Sequence, residues 1–282
     1  MSREMDSEMP EDPAGPPLAD DVWDPAQYWV FADERSRPFF ELVGRIGAQA
    51  PSRVVDLGCG HGELTATLAR RWPGAAITGI DSSTEMINAA RRSAAGHPGS
   101  LEFAVGDIAG WAPDRPVDVI VSNAALQWVP EHRELLPRWT RALTPGGWLA
   151  FQVPGNADAP SHALLRELCT SPRWRDRLAD VLRWHPVDEP AGYLRLLAAQ
   201  GCRVDAWETT YCQVLQGEDA VLEWVKGTAL RPVLAALGGE EAPRTARFLA
   251  EYAGLLREAY PPGAHGTLFP FRRIFVVART GS

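Results

Sequence analysis

Asp56-Leu57-Gly58-Cys59-Gly60-His61-Gly62 decides the fold of this chain. The stretch follows the apolar pair Val54-Val55 and opens a helical pattern running from Glu63 to Ala69. A tight strand-to-helix turn needs backbone angles that residues bearing a Cβ avoid, and glycine supplies them. The same lack of a side chain lets a ligand lie against the main chain. An acid followed by three alternating glycines at such a junction describes a cradle for a nucleotide-like cofactor.

The spacing then selects among cofactors. The dinucleotide fingerprint is G-x-G-x-x-G, with the pyrophosphate on the helix N-terminus. Here it is G-x-G-x-G, so Gly62 falls one residue early. Asp56 precedes the first glycine, where a carboxylate repels a pyrophosphate and suits a cation such as the α-ammonium of a methionine moiety. Asp81 closes the apolar run 76–80, about 20 residues after the glycines, where an acid can take both ribose hydroxyls. This pattern favours S-adenosylmethionine over NAD, and methyl transfer over hydride transfer.

Working outward, short apolar runs alternate with helical periodicities from residue 53 to 152. Strands are expected at Val54-Val55, 76–80, 101–105, 117–121 and 148–153. Helices are expected at 63–71, 84–92 and 132–143, the last with Leu135, Leu136, Trp139 and Leu143 on one face. His132 is expected to cap that last helix. Such alternation means a parallel sheet with helices on both faces. Ligands bind beyond the C-terminal strand ends of such sheets, where Asp56, Asp81, Asp107 and Asn123 fall. Further along, 202–215 reads as a long strand, 220–229 and 242–259 as helices, and 271–279 as a final strand.

These motifs resemble the class I S-adenosylmethionine-dependent methyltransferases. The resemblance implies an α/β, Rossmann-like fold: a mostly parallel seven-stranded sheet, helices on both faces and an inserted helical cap. It places Asp56, Gly58 and Gly60 at the methionine end of the cofactor. Asp81 falls at the ribose, Asp107 and Ile108 at the adenine, and Ser82 and Met86 also at the cofactor. Asn123 and Ala124 lie near the transferable methyl, and Arg35 also falls at the cofactor. S-adenosylhomocysteine is then the product. His61 stands where relatives often carry proline or threonine.

Composition bounds the rest. The 282 residues are 45% apolar, enough for a core, and their net charge of −8 argues against a nucleic-acid surface. Lys226 is the single lysine. Cys59, Cys169, Cys202 and Cys212 form no C-x-x-C pair, so neither a metal site nor a disulfide framework is expected. No secretory signal or membrane-length apolar run is evident, and a cytoplasmic location is the expectation. No obligate protein partner is implied. The division expected is an acidic, proline-rich disordered tail (1–20), a lid segment plus cofactor core (21–155), a helical cap with the sixth strand (156–260), and a returning last strand (261–282).

Segments outside the cofactor core narrow the resemblance. Trp23 to Tyr28, Asn123 to Pro130, Gln152 to Asn156, Trp207 to Tyr211, Gly227 to Pro232 and Phe269 to Arg273 are similar to the trans-aconitate 2-methyltransferase family. That family esterifies one carboxylate of a small tricarboxylate. A carboxylic acid of pKa near 4 is already ionised at pH 7, so no catalytic acid or base is required. Arginine suits flat carboxylates because it donates two hydrogen bonds at once. Arg231 and Arg273, with Arg35 or Arg37, are therefore expected to hold the carboxylates that are not methylated. Tyr28, Gln127, Trp128 and Asn156 are expected as neutral donors and walls. Other readings remain open at this point: another acid, hydroxyl or amine acceptor, a nicotinamide oxidoreductase, or a cofactor-binding module without catalysis.

Overall fold

A computed structural model describes residues 36–94, 100–182, 187–227, 229–239 and 242–281. The expected tail, the lid residues 21–35, and with them Tyr28 and Arg35, lie outside the described residues.

The order begins with α1 (Arg37–Gly44), β1 (Arg53–Leu57), α2 (Glu63–Arg71), β2 (Ala76–Asp81), α3 (Thr84–Ser93), β3 (Ser100–Val105) and β4 (Val117–Asn123). A 3-10 turn, Leu126–Trp128, leads to α4 (His132–Arg141) and β5 (Leu143–Pro154). The second part holds α5 (Pro160–Thr170), α6 (Arg175–Leu178), α7 (Pro190–Ala198), β6 (Arg203–Leu215), α8 (Ala220–Lys226), α9 (Arg231–Ala236) and α10 (Pro243–Ala259). It ends with the two-residue β7 (Pro262–Gly263) and β8 (Gly266–Arg279).

The sheet runs β3-β2-β1-β4-β5-β8-β6, with β7 paired to β8 off that path. β1 to β5 are parallel, and β8 is antiparallel to both β5 and β6. The path therefore has the seven strands expected, and the eighth is a brief fold-back. β1 shows why the alternation was readable: its Val54, Val55, Asp56 and Leu57 are all buried, the mark of a strand covered on both faces.

Each face has its own core. One packs Phe39, Phe40, Leu42 and Val43 of α1 against Val54, Val121, Ala150, Tyr211 and Phe275. Four such side chains contribute about 1.5–3 kcal/mol each by removal from water, which ties α1 firmly to the sheet. The other packs Leu135, Leu136 and Trp139 of α4 and Tyr193 and Leu197 of α7 against Leu149, Phe151 and Ile274. A third cluster belongs to the helices after residue 160: Leu165, Leu178, Val225, Leu230, Phe248 and Tyr252 close around Phe269 and Phe271 of β8.

Three expectations need correction. His132 does not cap α4; Glu131 holds the N-cap at φ 56, and the buried His132 ring meets Tyr193 Oη at 2.7 Å. The helix expected over 220–229 ends at Lys226, with Gly227 at its C-cap. The last strand starts at Gly266, ahead of Phe271, because β6 pairs with it as far as Leu215 opposite Thr267. Pro270, which donates no ladder hydrogen bond, disguised that extension in the sequence.

Candidate active site

Register places the candidate residues. Side chains alternate along a strand, and partners across a ladder share a face. Asp56 pairs with Gly79 on β2 and Val121 on β4. Asp81 and Asn123 lie two residues farther along those strands. Asn123 pairs with Gln152, and Gln152 with Phe275 on β8, two residues past Arg273. Tyr211 pairs with Phe271. Asp81, Asp56, Asn123, Gln152, Arg273 and Tyr211 thus line one face of the sheet. The first four stand at the C-terminal ends of the parallel strands.

The glycine turn is held from below. Gly58 and Cys59 donate their N–H groups to Ile80 O at 2.8 and 3.0 Å, and Ser122 Oγ donates to Leu57 O at 2.7 Å. The three glycines all have positive φ but do different jobs. At Gly58 (φ 86) a Cβ would collide with the Ala125 side chain. At Gly62 (φ 79) it would lie 2.6 Å from Phe103 and 2.7 Å from Ala90, so this glycine lets α2, α3 and β3 converge. At Gly60 (φ 55) it would meet nothing within 4 Å, leaving open space above the main chain where a ligand can approach.

The carboxylates differ sharply. Asp56 is 2% exposed and accepts a hydrogen bond from Thr65 Oγ1 at 2.6 Å. Burial lifts its pKa from 3.8 to about 6, against the Thr65 bond and with help from the Asp81 charge. Asp81 accepts from Gly60 N at 2.9 Å on one oxygen and from Ser83 N at 2.9 Å on the other. Each oxygen keeps a second lone pair for a ligand hydroxyl. Ser82 is exposed, and Met86 N bonds Ser83 Oγ at 3.2 Å as the cap of α3. Asp107 is exposed and accepts from Ala109 N at 2.9 Å, while Ile108 is buried in the sheet core.

At the end of β4 the chain turns through Ala124, a non-glycine at φ 53. Its N–H donates to Gln152 O at 2.9 Å. Gln127 Nε2 donates to Ala124 O at 2.6 Å. Among the described residues, Asn123 Oδ1, Gln127 Oε1 and Gln152 Nε2 are buried with no hydrogen-bond partner. Three open carboxamide atoms at two adjoining strand ends are a polar site awaiting a polar ligand. Trp128 follows at 58% exposed.

Arg273 Nη1 donates to Gln152 Oε1 at 3.2 Å, and its guanidinium sits 4.6 Å from the Phe271 ring centroid. Tyr211 Oη donates to Glu41 Oε2 at 2.6 Å, and Glu41 also takes Arg37 Nε at 2.9 Å. Arg37 lies 4.9 Å from the Tyr211 ring centroid. Burial raises the Tyr211 phenol further above its ordinary pKa, with Glu41 adding to the effect and Arg37 and Arg273 opposing it. Arg37 and Arg273 are therefore brought to the same tyrosine.

Two expected substrate contacts are placed elsewhere. Arg231 is exposed in the first turn of α9 and lines a surface hollow with Glu223, Lys226 and Leu234, which includes none of the strand-end residues. Its position ahead of Pro232 reads instead as a helix start. Asn156 is 4% exposed, but its carboxamide is taken by main chain: Nδ2 donates to Arg272 O at 2.9 Å and Oδ1 accepts from Arg272 N at 2.8 Å. It ties β5 to β8. A cavity of about 980 Å³ beside it is lined by Arg166, Glu189, Thr210, Leu268 and Arg272. Arg272 faces away from Arg273, and the cavity walls include neither Asp56, Asp81, Gln152 nor Arg273. Gln152 and Tyr211, which sequence reasoning did not single out, join the site through β-pairing.

The strand-end cluster fits S-adenosylmethionine. A buried carboxylate with one neutral partner suits its ammonium, Asp81 suits the ribose, and open main chain at Gly60 admits the body of the molecule. Among the described residues no group of three metal-ligating side chains occurs, and no helix is long and apolar enough to cross a membrane.

Comparison with known proteins agrees. A family profile described as a methyltransferase domain matches residues 54–147. The chain is 55% identical over 269 residues to trans-aconitate 2-methyltransferase of Streptomyces avermitilis, covering 93% of this chain and 98% of that protein. It is 56% identical to the Streptomyces coelicolor protein of the same name, covering 93% and 88%. In fold it is similar to a Haemonchus contortus phosphoethanolamine N-methyltransferase 2 solved with phosphomonomethylethanolamine and S-adenosylhomocysteine, at a TM-score of 0.53 and 15% identity over 91% of this chain and 56% of that one. That structure holds S-adenosylhomocysteine, the by-product left when S-adenosylmethionine gives up its methyl group. By identity sustained over nearly its whole length, the chain belongs to the trans-aconitate 2-methyltransferase family.

Proposed function

We propose that this enzyme esterifies one carboxylate of trans-aconitate with the methyl group of S-adenosylmethionine. One observation carries the reading. The methyltransferase domain match ends at residue 147, yet the identity to the Streptomyces enzymes extends over 93% of the chain. The likeness therefore includes the helices after residue 160, the region in which enzymes of one fold differ in substrate.

When bound, S-adenosylmethionine supplies an electrophilic methyl on a sulfonium. Asp56 would hold its ammonium, Asp81 its ribose, and the Gly58–Gly60 turn its approach. The acceptor carboxylate is ionised at pH 7 and needs no base. What the protein contributes is placement, an effect of up to about 7–11 kcal/mol. Arg273 and Arg37 meet the carboxylates that do not react. Asn123 and Gln127 border the reacting end with acceptor oxygens. Residues 156–260 act as the cap, and residues 261–282 return the last strand to the core.

The test is methyl transfer from labelled S-adenosylmethionine to trans-aconitate, with cis-aconitate, citrate and isocitrate alongside. A base-labile product formed fastest from trans-aconitate is expected. A product stable to mild base, or transfer only to hydroxyl or amine acceptors, refutes the reading.

A further inference from the structure

We propose that Gln152 contacts the substrate and sets its specificity: Nε2 donates to a carboxylate oxygen of the acid, and Arg273, besides meeting a carboxylate itself, turns the amide. The proposal rests on the carboxylate-acceptor reading above.

Gln152 is 0% exposed, on β5 beside Asn123 of β4, at the end of the sheet where ligands bind. Its orientation is determined by chemistry. Arginine carries donors only, so the group it meets at 3.2 Å must be the amide oxygen. The NH2 is thereby directed the other way, and among the described residues Nε2 has no partner. A buried donor left open is disfavoured, and in a folded protein it calls for a specific explanation. A ligand oxygen supplies one here. Neighbouring Asn123 Oδ1 and Gln127 Oε1 are open as well, as acceptors that need a donor rather than a carboxylate, so the end of the sheet has open polar atoms of both kinds.

The arrangement also discriminates. A donor held this way rewards an acceptor oxygen and rejects an ammonium acceptor. It adds no charge beside the arginine, so the site can hold an anion without a second cation.

The variants Gln152→Met and Gln152→Glu test this in the full chain, with S-adenosylhomocysteine affinity measured by calorimetry as the control. Gln152→Met keeps the length and loses the amide. KM for trans-aconitate should rise at least 10-fold, kcat should change less than 5-fold, and cofactor affinity should stay within 2-fold. Gln152→Glu gives Arg273 a carboxylate to pair with and turns a negative charge on the acid, so kcat/KM should fall at least 100-fold. Folded variants that keep kcat/KM within 3-fold overturn the proposal. Should either variant fail to fold, a crystal of the parent with S-adenosylhomocysteine and trans-aconitate decides: Nε2 within hydrogen-bond distance of a carboxylate oxygen supports it, and any other partner overturns it. A parent that esterifies a different acid refutes the substrate reading alone, and Gln152 is then judged with that acid. A parent active only on hydroxyls or amines refutes both.

Discussion

Asp56→Asn should make the cofactor-free protein more stable while nearly abolishing cofactor binding. In the folded chain the Asp56 pKa is about 6, against 3.8 for an unperturbed aspartate. The folded state therefore binds the proton more tightly than the unfolded one. Folding stability is undiminished by this group below pH 4, is lost progressively as pH rises from 4 to 6, and carries the full cost above that. Two linked pKa values differing by roughly two units cost about 3 kcal/mol at pH 7, since one unit is worth about 1.36 kcal/mol. The residue is 2% exposed, so solvent screening does not reduce the figure.

Asparagine keeps the hydrogen bond from Thr65 and removes the charge. At pH 7 the cofactor-free variant should melt roughly 5 °C above the parent. The gap should narrow towards pH 5 and close near pH 4, where the parent carboxyl is itself neutral. Cofactor affinity should move oppositely. On the proposed placement the ammonium of the bound cofactor would supply the missing countercharge, so binding would favour ionised Asp56. Affinity of the parent for S-adenosylhomocysteine should fall about tenfold per pH unit below pH 6, and that of Asp56→Asn should be at least 100-fold weaker at pH 7 and flat across the same range. Differential scanning fluorimetry from pH 4 to 8 and calorimetric titration read both. A variant no more stable than the parent at pH 7, with affinity unchanged, refutes the assignment of a buried ionised carboxylate facing the ammonium.

Gly58→Ala should lower the melting temperature by several degrees without any ligand, because its Cβ meets Ala125 at a φ of 86. Gly60→Ala should cost only about 1–2 kcal/mol, the left-handed penalty, yet weaken S-adenosylhomocysteine binding at least 10-fold by calorimetry. Arg272 pairs with Glu189 and Glu208 on one face, while Arg273 meets Gln152 on the other. Arg272→Ala should therefore lower stability and leave KM for trans-aconitate within 3-fold. Arg273→Ala should raise that KM about 10- to 100-fold, the worth of a charge-assisted hydrogen bond. Tyr211→Phe removes the bond to Glu41 and should cost about 1.5–3 kcal/mol in a thermal melt, the range for a hydrogen bond to a charged group.

What was legible in the sequence is what local chemistry dictates. The parallel core was readable because buried strands are short apolar runs and the glycine turn has a steric signature. Asp56 and Asp81 followed, since each stands at or one residue short of the end of its own strand. The substrate side was less legible because β8 inserts between β5 and β6, so its residues meet β5 partners more than 100 positions away. Gln152 and Arg273 are 121 residues apart, and Tyr211 and Glu41 are 170 apart. No spacing rule links them. Arg231 and Asn156 show the converse: residue type suggested carboxylate recognition, and the geometry spends one in solvent and the other on the Arg272 main chain.

The same contrast separates the structural from the functional polar groups of this sheet. Burial would raise the Asp118 carboxyl, but bonds from Arg53 N, Thr144 and Ser52 N outweigh it and hold the carboxyl below the usual range. Glu189 is likewise held below its ordinary pKa by Arg272. Those acids support the fold. At the C-terminal strand ends the pattern inverts: Asp56 is raised, and Asn123, Gln127 and Gln152 keep open hydrogen-bonding atoms. A chain that satisfies acids such as Asp118 and Glu189, yet leaves Asp56, Asn123, Gln127 and Gln152 with raised or open polar groups, concentrates instability where a charged cofactor and an anionic acid would relieve it. Binding of both ligands should therefore raise the melting temperature by more than the sum of the shifts each gives alone, because each completes a polar shell that the other borders.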